Sequence, residues 1–332
     1  MNKFLHSINW FRGIAIIFVV LTHMPPSNMT SNFYIYWHEF VQNGTAFFIF
    51  IAGYLYWHLI DRFDYRKYLN SKIKNVIVPY LIILTTTLLI IYVLSLFCIN
   101  SKNDYYIVDF KSPFLEYGFI WHYVKGGALN FPLWFIPMIS IFFLFSNVIK
   151  GIGNSKYFYI FLLVFLLITF TTKRGEWAPF QFFHYLGVWL FGMCCKKNEH
   201  YIYKNAVTIS AITFIPSLIF VHFKVHYGSF FINFSEVQKM FSILFFLSFF
   251  MMLESKNVKI KVLDVLAKYS FGVFFIHYYF LLASTILLKE LLELDRIILY
   301  IATLLLSIFG SLFICFLIKT YFPKHSRTLL GI

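Results

Sequence analysis

Charged side chains are scarce in this sequence. Only 13% of its 332 residues are Asp, Glu, Lys or Arg, whereas 60% are hydrophobic and 23% are aromatic. So few charges cannot cover the surface of a soluble globular protein of this length. The composition therefore excludes a soluble enzyme and predicts an integral membrane protein surrounded by lipid.

Acidic residues are scarcer than basic ones, with 14 Asp and Glu against 28 Lys and Arg. A nucleic-acid-binding protein with such a net positive charge would need a basic face in polar surroundings. Here the cations stand in short clusters between apolar runs, a pattern typical of the residues that set membrane topology. We therefore predict no nucleic-acid partner.

Cysteines are few, and several catalytic motifs are absent. The chain has four cysteines, and none has the spacing of a zinc site or a disulfide framework. The patterns HExxH, GxSxG and Walker A do not occur, which argues against a zinc protease, a hydrolase with a nucleophile elbow and a P-loop enzyme. His222 and His226 are one helical turn apart but have no third ligand nearby, so we predict no metal site.

Long apolar runs fill most of the chain and predict an all-α, multi-pass membrane bundle. The whole chain, 1–332, is expected to form one membrane domain without an appended soluble domain. About 17 to 25 apolar residues are needed to span a bilayer as a helix. The runs that reach or approach this length predict about ten spans: 8–24, 40–60, 76–99, 133–149, 157–172, 179–195, 205–223, 238–253, 264–288 and 297–319.

Lysine and arginine predict the orientation of these spans. The connections on one side hold about twice as many cations as those on the other, and cytoplasmic connections are the cation-rich ones. Both termini are therefore expected in the cytoplasm. The longest extracytoplasmic connection, about 100–132, is rich in Tyr and Trp. These aromatic residues either stack on sugar rings or form an interfacial belt, and we favour the belt.

The stretch NWFRGIAIIFVVLTH, residues 9–23, sets one arginine and one histidine in an apolar run of helix length. At about 100° per residue, Arg12 and His23 project within roughly 20° of each other. At about 1.5 Å per residue they lie roughly 16 Å apart along that face. Ionisable residues inside a span are costly to bury and indicate function. Snorkelling of Arg12 and an interfacial position of His23 are the alternatives, but the shared face favours a site.

This pattern resembles the acyltransferase-3 family of membrane acyltransferases, whose signature is an arginine, ten residues and a histidine on the first membrane helix. Three further segments resemble family segments in the same order: FFIFIAGYL at 47–55, PLWFIPM at 132–138 and YSFGVFFIH at 269–277. The resemblance covers essentially the whole chain. The sequence departs from the family pattern at three positions: Asn9 in place of Asp, Ala52 in place of Ser and Tyr278 in place of Pro.

The resemblance implies a bacterial inner-membrane O-acyltransferase. Such an enzyme moves an acetyl group from cytoplasmic acetyl-CoA to a hydroxyl of an extracytoplasmic glycan, such as O-antigen or another surface polysaccharide, free or lipid-linked. Acyl transfer needs a grip on the anionic donor, a base for the hydroxyl and stabilisation of the oxyanion. Arg12 suits the donor, since its planar fork matches phosphate or pantetheine oxygens. His23 suits either general base or transient acyl carrier.

The basic segment YRKYLNSKIKNVIVPY, 65–80, resembles the positively charged stretch that precedes a Pro-Tyr pair in the family. Its cations are candidates for binding the nucleotide phosphates of acetyl-CoA: Arg66, Lys67, Lys72 and Lys74. Positive-inside anchoring explains each of them equally well.

Three further residues are candidates for the acceptor side. His277 lies in the middle of an apolar aromatic run, where the cost of burial indicates either a site role or a buried structural partner. Trp134 is a candidate cavity-lining residue, with ordinary packing as the alternative. Glu39 begins the second apolar run on the same side as His23 and is a candidate for orienting the imidazole, or else a solvated carboxylate at a helix start.

A transporter is the contrasting class of function. A non-enzymatic export component for a glycan or its precursor would use intramembrane Arg and His for gating or binding. Such proteins are often built from repeats with paired interrupted helices. Neither feature is visible in this sequence, which therefore favours the acyltransferase.

Overall fold

A computed structural model describes residues 5–24, 32–96, 131–228, 232–292 and 296–332 of the protein. In these ranges the chain forms α-helices joined by turns and has no strand. The prediction of an all-α helical bundle is therefore confirmed. Almost all of the predicted aromatic-rich connection, 100–132, lies outside the described residues.

The helices are numbered along the described ranges. The first seven are α1 (His6–Thr22), α2 (Asn32–Val41), α3 (Thr45–His58), α4 (Tyr65–Lys72), α5 (Val78–Leu96), α6 (Phe135–Leu144) and α7 (Ser146–Asn154). They are followed by α8 (Phe158–Thr171), α9 (Ala178–Lys197), α10 (Glu199–Lys204), α11 (Ala206–Tyr227), α12 (Phe234–Ser255), α13 (Lys261–Leu292), α14 (Arg296–Tyr321) and α15 (Ser326–Leu330). A π-helical turn joins α4 to α5, and 3₁₀ turns precede α4 and α6: Ile73–Ile77, Ile60–Arg62 and Phe131–Trp134.

Helix length decides which segments are able to cross a bilayer, since a span needs about 20 residues. Within the described ranges, five helices are long and apolar enough: Tyr65–Leu89, Ala206–Tyr227, Phe234–Ser255, Lys261–Thr285 and Ile297–Tyr321. A sixth is reached if α6 and α7, which are bent by 59°, count as one broken span. The protein is thus a multi-pass membrane protein, and the predicted count of about ten spans is not confirmed.

Most of the difference in count comes from short or interrupted helices. The apolar helices α1 and α8 have only 17 and 14 residues. The predicted span 40–60 is divided between α2 and α3 by a turn, where Asn43 adopts a left-handed conformation with φ of 59°. The predicted span 133–149 breaks at Phe145. Hydropathy averaged over a whole span does not reveal such breaks, although the dipeptide Asn43-Gly44 is itself a turn signal.

Helix α1 lies inside the bundle and packs against α3, α12 and α13. Phe11 is fully buried, and its ring centre is 5.3 Å from that of Phe47 on α3 and 6.0 Å from that of Phe246 on α12. Helices α8, α11 and α14 instead expose large apolar side chains, as lipid-facing helices do: Leu163, Leu167, Ile212, Ile215, Phe309, Phe313 and Phe316. The helix that carries Arg12 and His23 is therefore shielded by its neighbours.

Two glycines allow α3 and α9 to pack at backbone distance. A Cβ atom on Gly53 would lie 2.2 Å from the carbonyl oxygen of Trp189, and one on Gly192 would lie 2.3 Å from that of Phe50. Small residues at crossings are typical of membrane helix pairs. Gly53 belongs to the segment FFIFIAGYL, so helix packing accounts for this part of the sequence pattern.

Candidate active site

His23 directly follows α1, and its ring is held by that helix. Its Nδ1 lies 2.7 Å from the carbonyl oxygen of Val19. A carbonyl only accepts, so the neutral ring carries its proton on Nδ1 and keeps the lone pair of Nε2. The adjacent Thr22 hydroxyl lies 2.8 Å from the Phe18 carbonyl and 2.9 Å from the Val41 carbonyl, which fastens α1 to the end of α2. His23 is therefore oriented with its basic nitrogen available.

His277 of α13 brings a second imidazole to the same place. The two histidine rings have centres 5.4 Å apart, and the Tyr278 ring meets His23 edge-on at 6.4 Å. His277 is fully buried, with Nδ1 2.9 Å from the carbonyl oxygens of both Val273 and Phe274. Its buried Nε2 has no hydrogen-bond partner in the described part of the chain. Two imidazoles with accepting Nε2 atoms thus lie side by side.

An arginine within electrostatic reach of His23 contacts two aromatic residues. Trp134 precedes α6 and stacks on Tyr185 of α9, with ring centres 6.3 Å apart and 21° between the planes. The guanidinium carbon of Arg174 is 4.2 Å from the centre of the Trp134 ring. Arg174 also lies close enough to His23 to act on it electrostatically. Trp134 is therefore linked to the His23 region through Arg174.

Glu39 on α2 contacts groups other than His23. It forms an ion pair with Lys224 of α11, and its Oε1 is 4.0 Å from Nδ1 of His38. Burial lowers the pKa of His38, and the Glu39 carboxylate partly opposes this shift. The ring of His23 is oriented by the Val19 carbonyl instead. A role for Glu39 in acceptor binding stays a prediction.

Arg12, near the other end of α1, is half-buried and has a second cation beside it. Lys72 of α4 is close enough to interact with it electrostatically. The ammonium of Lys72 lies 5.1 Å from the Tyr68 ring centre and 5.2 Å from that of Phe143. Neither cation has a carboxylate partner among the residues described. Two neighbouring cations repel each other, so this end of α1 favours an anionic ligand.

Acidic residues at this end are engaged by other donors. The Asp264 carboxylate accepts a 2.7 Å hydrogen bond from the side-chain amide of Asn9, and Glu254 accepts one of 3.1 Å from the backbone N–H of Ser7. An ionised Asp at position 9 would be unable to donate to Asp264. Asn9, where the family pattern has Asp, is therefore suited to donate to the Asp264 carboxylate on α13.

The other three predicted donor ligands show no contact with Arg12 in the described part of the chain. The side chains of Arg66, Lys67 and Lys74 are exposed. The backbone N–H of Lys67 donates to the Asp64 carboxylate at 3.0 Å, which caps the start of α4. The structure thus joins Lys72 to Arg12, whereas donor binding by the other three cations stays a prediction.

Comparison with protein families decides the class of this protein. A family model described as an acyltransferase domain, that of the acyltransferase-3 family, matches residues 5–320. The chain belongs to the acyltransferase-3 family. Comparisons with curated proteins and with solved structures give no match. The protein is therefore a membrane acyltransferase, and the resemblance found in its sequence is confirmed.

The acyltransferase also holds a buried charged network that the sequence predictions missed. Glu236 and Lys239 of α12 are both buried. Glu236 Oε1 lies 3.2 Å from Nε2 of His184 and 3.0 Å from the amide nitrogen of Asn43, while Lys239 donates to the Phe40 carbonyl at 2.6 Å. Two ionisable residues three positions apart at the start of an apolar run indicate such a network. The predicted span 238–253 began between Glu236 and Lys239, so the two were not predicted as a pair. The network holds the turn between α2 and α3 against α12.

The hydroxyl group of Tyr36 bridges two histidines of α11. The Tyr36 hydroxyl lies 2.8 Å from Nδ1 of His222 and 3.0 Å from Nε2 of His226. A hydroxyl both donates and accepts, so it satisfies the two rings together. Over the ranges that the acyltransferase structure describes, no group of three or more His, Cys, Asp or Glu is placed to hold a metal ion.

Proposed function

We propose that this acyltransferase is an O-acetyltransferase of the bacterial inner membrane. It moves an acetyl group from cytoplasmic acetyl-CoA to a hydroxyl of an extracytoplasmic glycan, such as O-antigen or another surface polysaccharide. The supporting observation is the pair of sites at the two ends of α1. Arg12 and Lys72 are neighbouring cations at one end, without a carboxylate partner among the described residues, and His23 and His277 are paired imidazoles at the other.

The donor site is assigned to Arg12 and Lys72. Acetyl-CoA carries several phosphates and amide oxygens, and a guanidinium binds a pair of oxygen atoms bidentately. Lys72 adds a second positive charge beside it. The acidic groups nearby are occupied by Asn9 and Ser7. An anionic donor therefore finds two cations that no carboxylate of the described residues neutralises.

The transfer step is assigned to His23 as general base. Its Nε2 takes the proton of the acceptor hydroxyl while the hydroxyl oxygen bonds to the thioester carbonyl carbon. The tetrahedral oxyanion then collapses, the carbon–sulfur bond breaks, and the imidazolium returns the proton to the departing CoA thiolate. The hydrogen bond from Nδ1 to Val19 keeps Nε2 in its accepting form and stabilises the imidazolium. His277 Nε2 accepts a further hydrogen bond from the acceptor and orients it.

The membrane orientation in this proposal follows the predicted topology, with both termini in the cytoplasm. Lys72 lies on the cation-rich side, and the structure puts it beside Arg12. Positive clusters mark cytoplasmic connections. The Arg12 end of α1 is then the cytoplasmic end, where acetyl-CoA is available, and the His23 end faces the glycan.

The test is the ester content of surface glycans in cells with and without the protein. NMR spectra before and after mild base treatment report acetyl esters. We expect base-labile acetyl signals that require the protein and that a His23→Asn variant fails to restore. Lost polymer export with unchanged ester content in the exported glycan would instead favour the transporter function.

A further inference from the structure

Arg174 is a cation of the His23 region that the sequence predictions did not include. It lies in the connection between α8 and α9, and its side chain is exposed. Its guanidinium lies over the Trp134 ring at 4.2 Å and acts on His23 electrostatically. It is not a member of any ion pair in the described ranges. An arginine without a carboxylate partner among the described residues therefore lies within electrostatic reach of His23.

The connection that carries Arg174 is fixed to α9 at both ends. The Thr172 hydroxyl lies 3.1 Å from Nδ1 of the buried His184. The side-chain amide of the buried Gln181 donates to the Gly175 carbonyl at 3.3 Å. Gly175 has φ of 71°, a left-handed conformation that glycine adopts readily and that turns the chain directly after Arg174. Arg174 thus lies in a turn that hydrogen bonds hold against α9.

Two buried polar atoms of this region have no hydrogen bond of good geometry within the described structure. One is the Tyr185 hydroxyl, whose polar neighbour is the Arg174 guanidinium, and the other is Nε2 of His277, next to His23. Buried polar atoms are almost always hydrogen-bonded. Atoms of this kind mark a place that a ligand or water completes. The Trp134 ring contacts both Tyr185 and Arg174 and joins the two halves of this region.

We propose that Arg174 and the Tyr185 hydroxyl bind a carboxylate or phosphate group of the acyl acceptor. This inference rests on the acetyl-transfer function proposed above. A guanidinium held over an indole ring keeps its N–H edge free for a bidentate contact with either anion. The phenol donates a third hydrogen bond. An anion bound there brings a hydroxyl of the same glycan to His23 and selects charged acceptors over neutral ones.

A purely structural contact between Arg174 and Trp134 is the competing explanation. It predicts that loss of the arginine impairs charged and neutral acceptors equally. An anion subsite predicts instead that the loss affects only acceptors that carry the charge, and that it acts on KM for the acceptor more than on kcat. The acceptor's own charge is therefore the variable to change.

The experiment uses glycan extracted from cells that lack the protein, in three forms. One form is untreated, one has its carboxylates reduced to alcohols, and one is dephosphorylated. Membranes containing the protein transfer labelled acetyl groups from acetyl-CoA to each form. For the wild type, we expect removal of the recognised anion to raise the acceptor KM about tenfold or more, as loss of charge-assisted hydrogen bonds does. Whether reduction or dephosphorylation has this effect identifies the anion.

Variants at two neighbouring cations complete the test. Arg174→Gln is expected to raise KM for untreated glycan to the level of the neutralised form, with kcat largely kept, and Arg174→Lys to fall between. Lys173→Gln removes the same charge from the adjacent exposed residue and is expected to keep KM within about twofold of wild type. Equal wild-type KM for all three forms, or equal effects of Arg174→Gln and Lys173→Gln, would overturn the subsite. Failure of the wild type to acetylate untreated glycan would instead refute acetyl transfer itself, and the subsite with it.

Discussion

Replacing His23 by asparagine separates the proposed chemistry of this residue from its structural contact. In the protein, Nδ1 of His23 donates to the Val19 carbonyl at 2.7 Å. The shorter asparagine amide is able to donate to the same oxygen. It has no nitrogen that takes up a proton near neutral pH. The variant therefore keeps the contact at the end of α1 and loses the base.

The expected effect on rate is much larger than the effect on stability. Loss of general-base catalysis typically lowers a rate by about 10² to 10⁴-fold. Even complete loss of the hydrogen bond to Val19 would change the free energy of unfolding by only about 0.5–1.5 kcal/mol. His23 is partly exposed at the helix end, so its replacement leaves no large cavity. We therefore expect a variant that inserts normally and is almost inactive.

The assay is transfer of labelled acetyl groups to glycan in membranes, with expression level and monodispersity in detergent measured alongside. His200→Asn, at an exposed histidine of α10, is the matched control and should behave as wild type. A His23→Asn enzyme within about tenfold of wild-type activity would refute the assignment of the base. A collapse in His277→Asn while His23→Asn stays active would move that role to α13.

Three other predictions follow from the same structure. Arg12→Lys should sharply weaken acetyl-CoA binding because lysine lacks the planar guanidinium fork. The control Arg62→Lys, at an exposed position, should leave binding unchanged. Equal acetyl-CoA affinity in Arg12→Ala and wild-type membranes would remove Arg12 from the donor site. Gly53→Ala should lower the free energy of unfolding by about 1–3 kcal/mol, because the added Cβ meets the Trp189 carbonyl oxygen. The measurement is thermal unfolding in detergent, which should occur at a lower temperature. The Cβ of the control Gly151→Ala meets nothing within 4 Å, and equal stability of the two variants would contradict this packing. Topology reporters should read inside at the fusion positions Asn70, Asn198 and Ile332. They should read outside at Ser27, Asp104 and Lys289. A C-terminus outside the cytoplasm would refute the orientation.

The regular parts of the fold were accessible from sequence because they depend on long apolar runs. The spans predicted at 205–223 and 297–319 correspond to α11 and α14, which are long, apolar and uninterrupted. The span predicted at 40–60 failed for a reason that lies elsewhere in the chain. Asn43 breaks it, and its side chain bonds to Ser235 and Glu236 of α12. The Asn-Gly dipeptide is a local turn signal, but the contacts that hold this turn come from a helix almost 200 residues away and leave no mark in the local sequence.

The candidate site was only partly accessible from sequence. Arg12 and His23 were candidates from sequence because spacing on one predicted helix fixes a shared face, and their roles stay predictions. His277 was a candidate through the family pattern, yet nothing in its own run says which residue it meets. Arg174 and Tyr185 were missed because an arginine in a connection and a tyrosine in an apolar helix look ordinary until packing places them beside Trp134.

Composition and short-range spacing by themselves determined that this chain is an all-α membrane protein with an arginine and a histidine on one helix, and that it resembles a family of acyltransferases. These properties are local, since they depend on the apolar content of segments and on 3.6-residue periodicity. Only the tertiary structure decided that His277 lies beside His23, that Lys72 lies within electrostatic reach of Arg12, and that Arg174 lies within electrostatic reach of His23. Each of these contacts joins separate helices or connections, and their packing is set by many side chains at once, such as the close approach of α3 and α9 at Gly53.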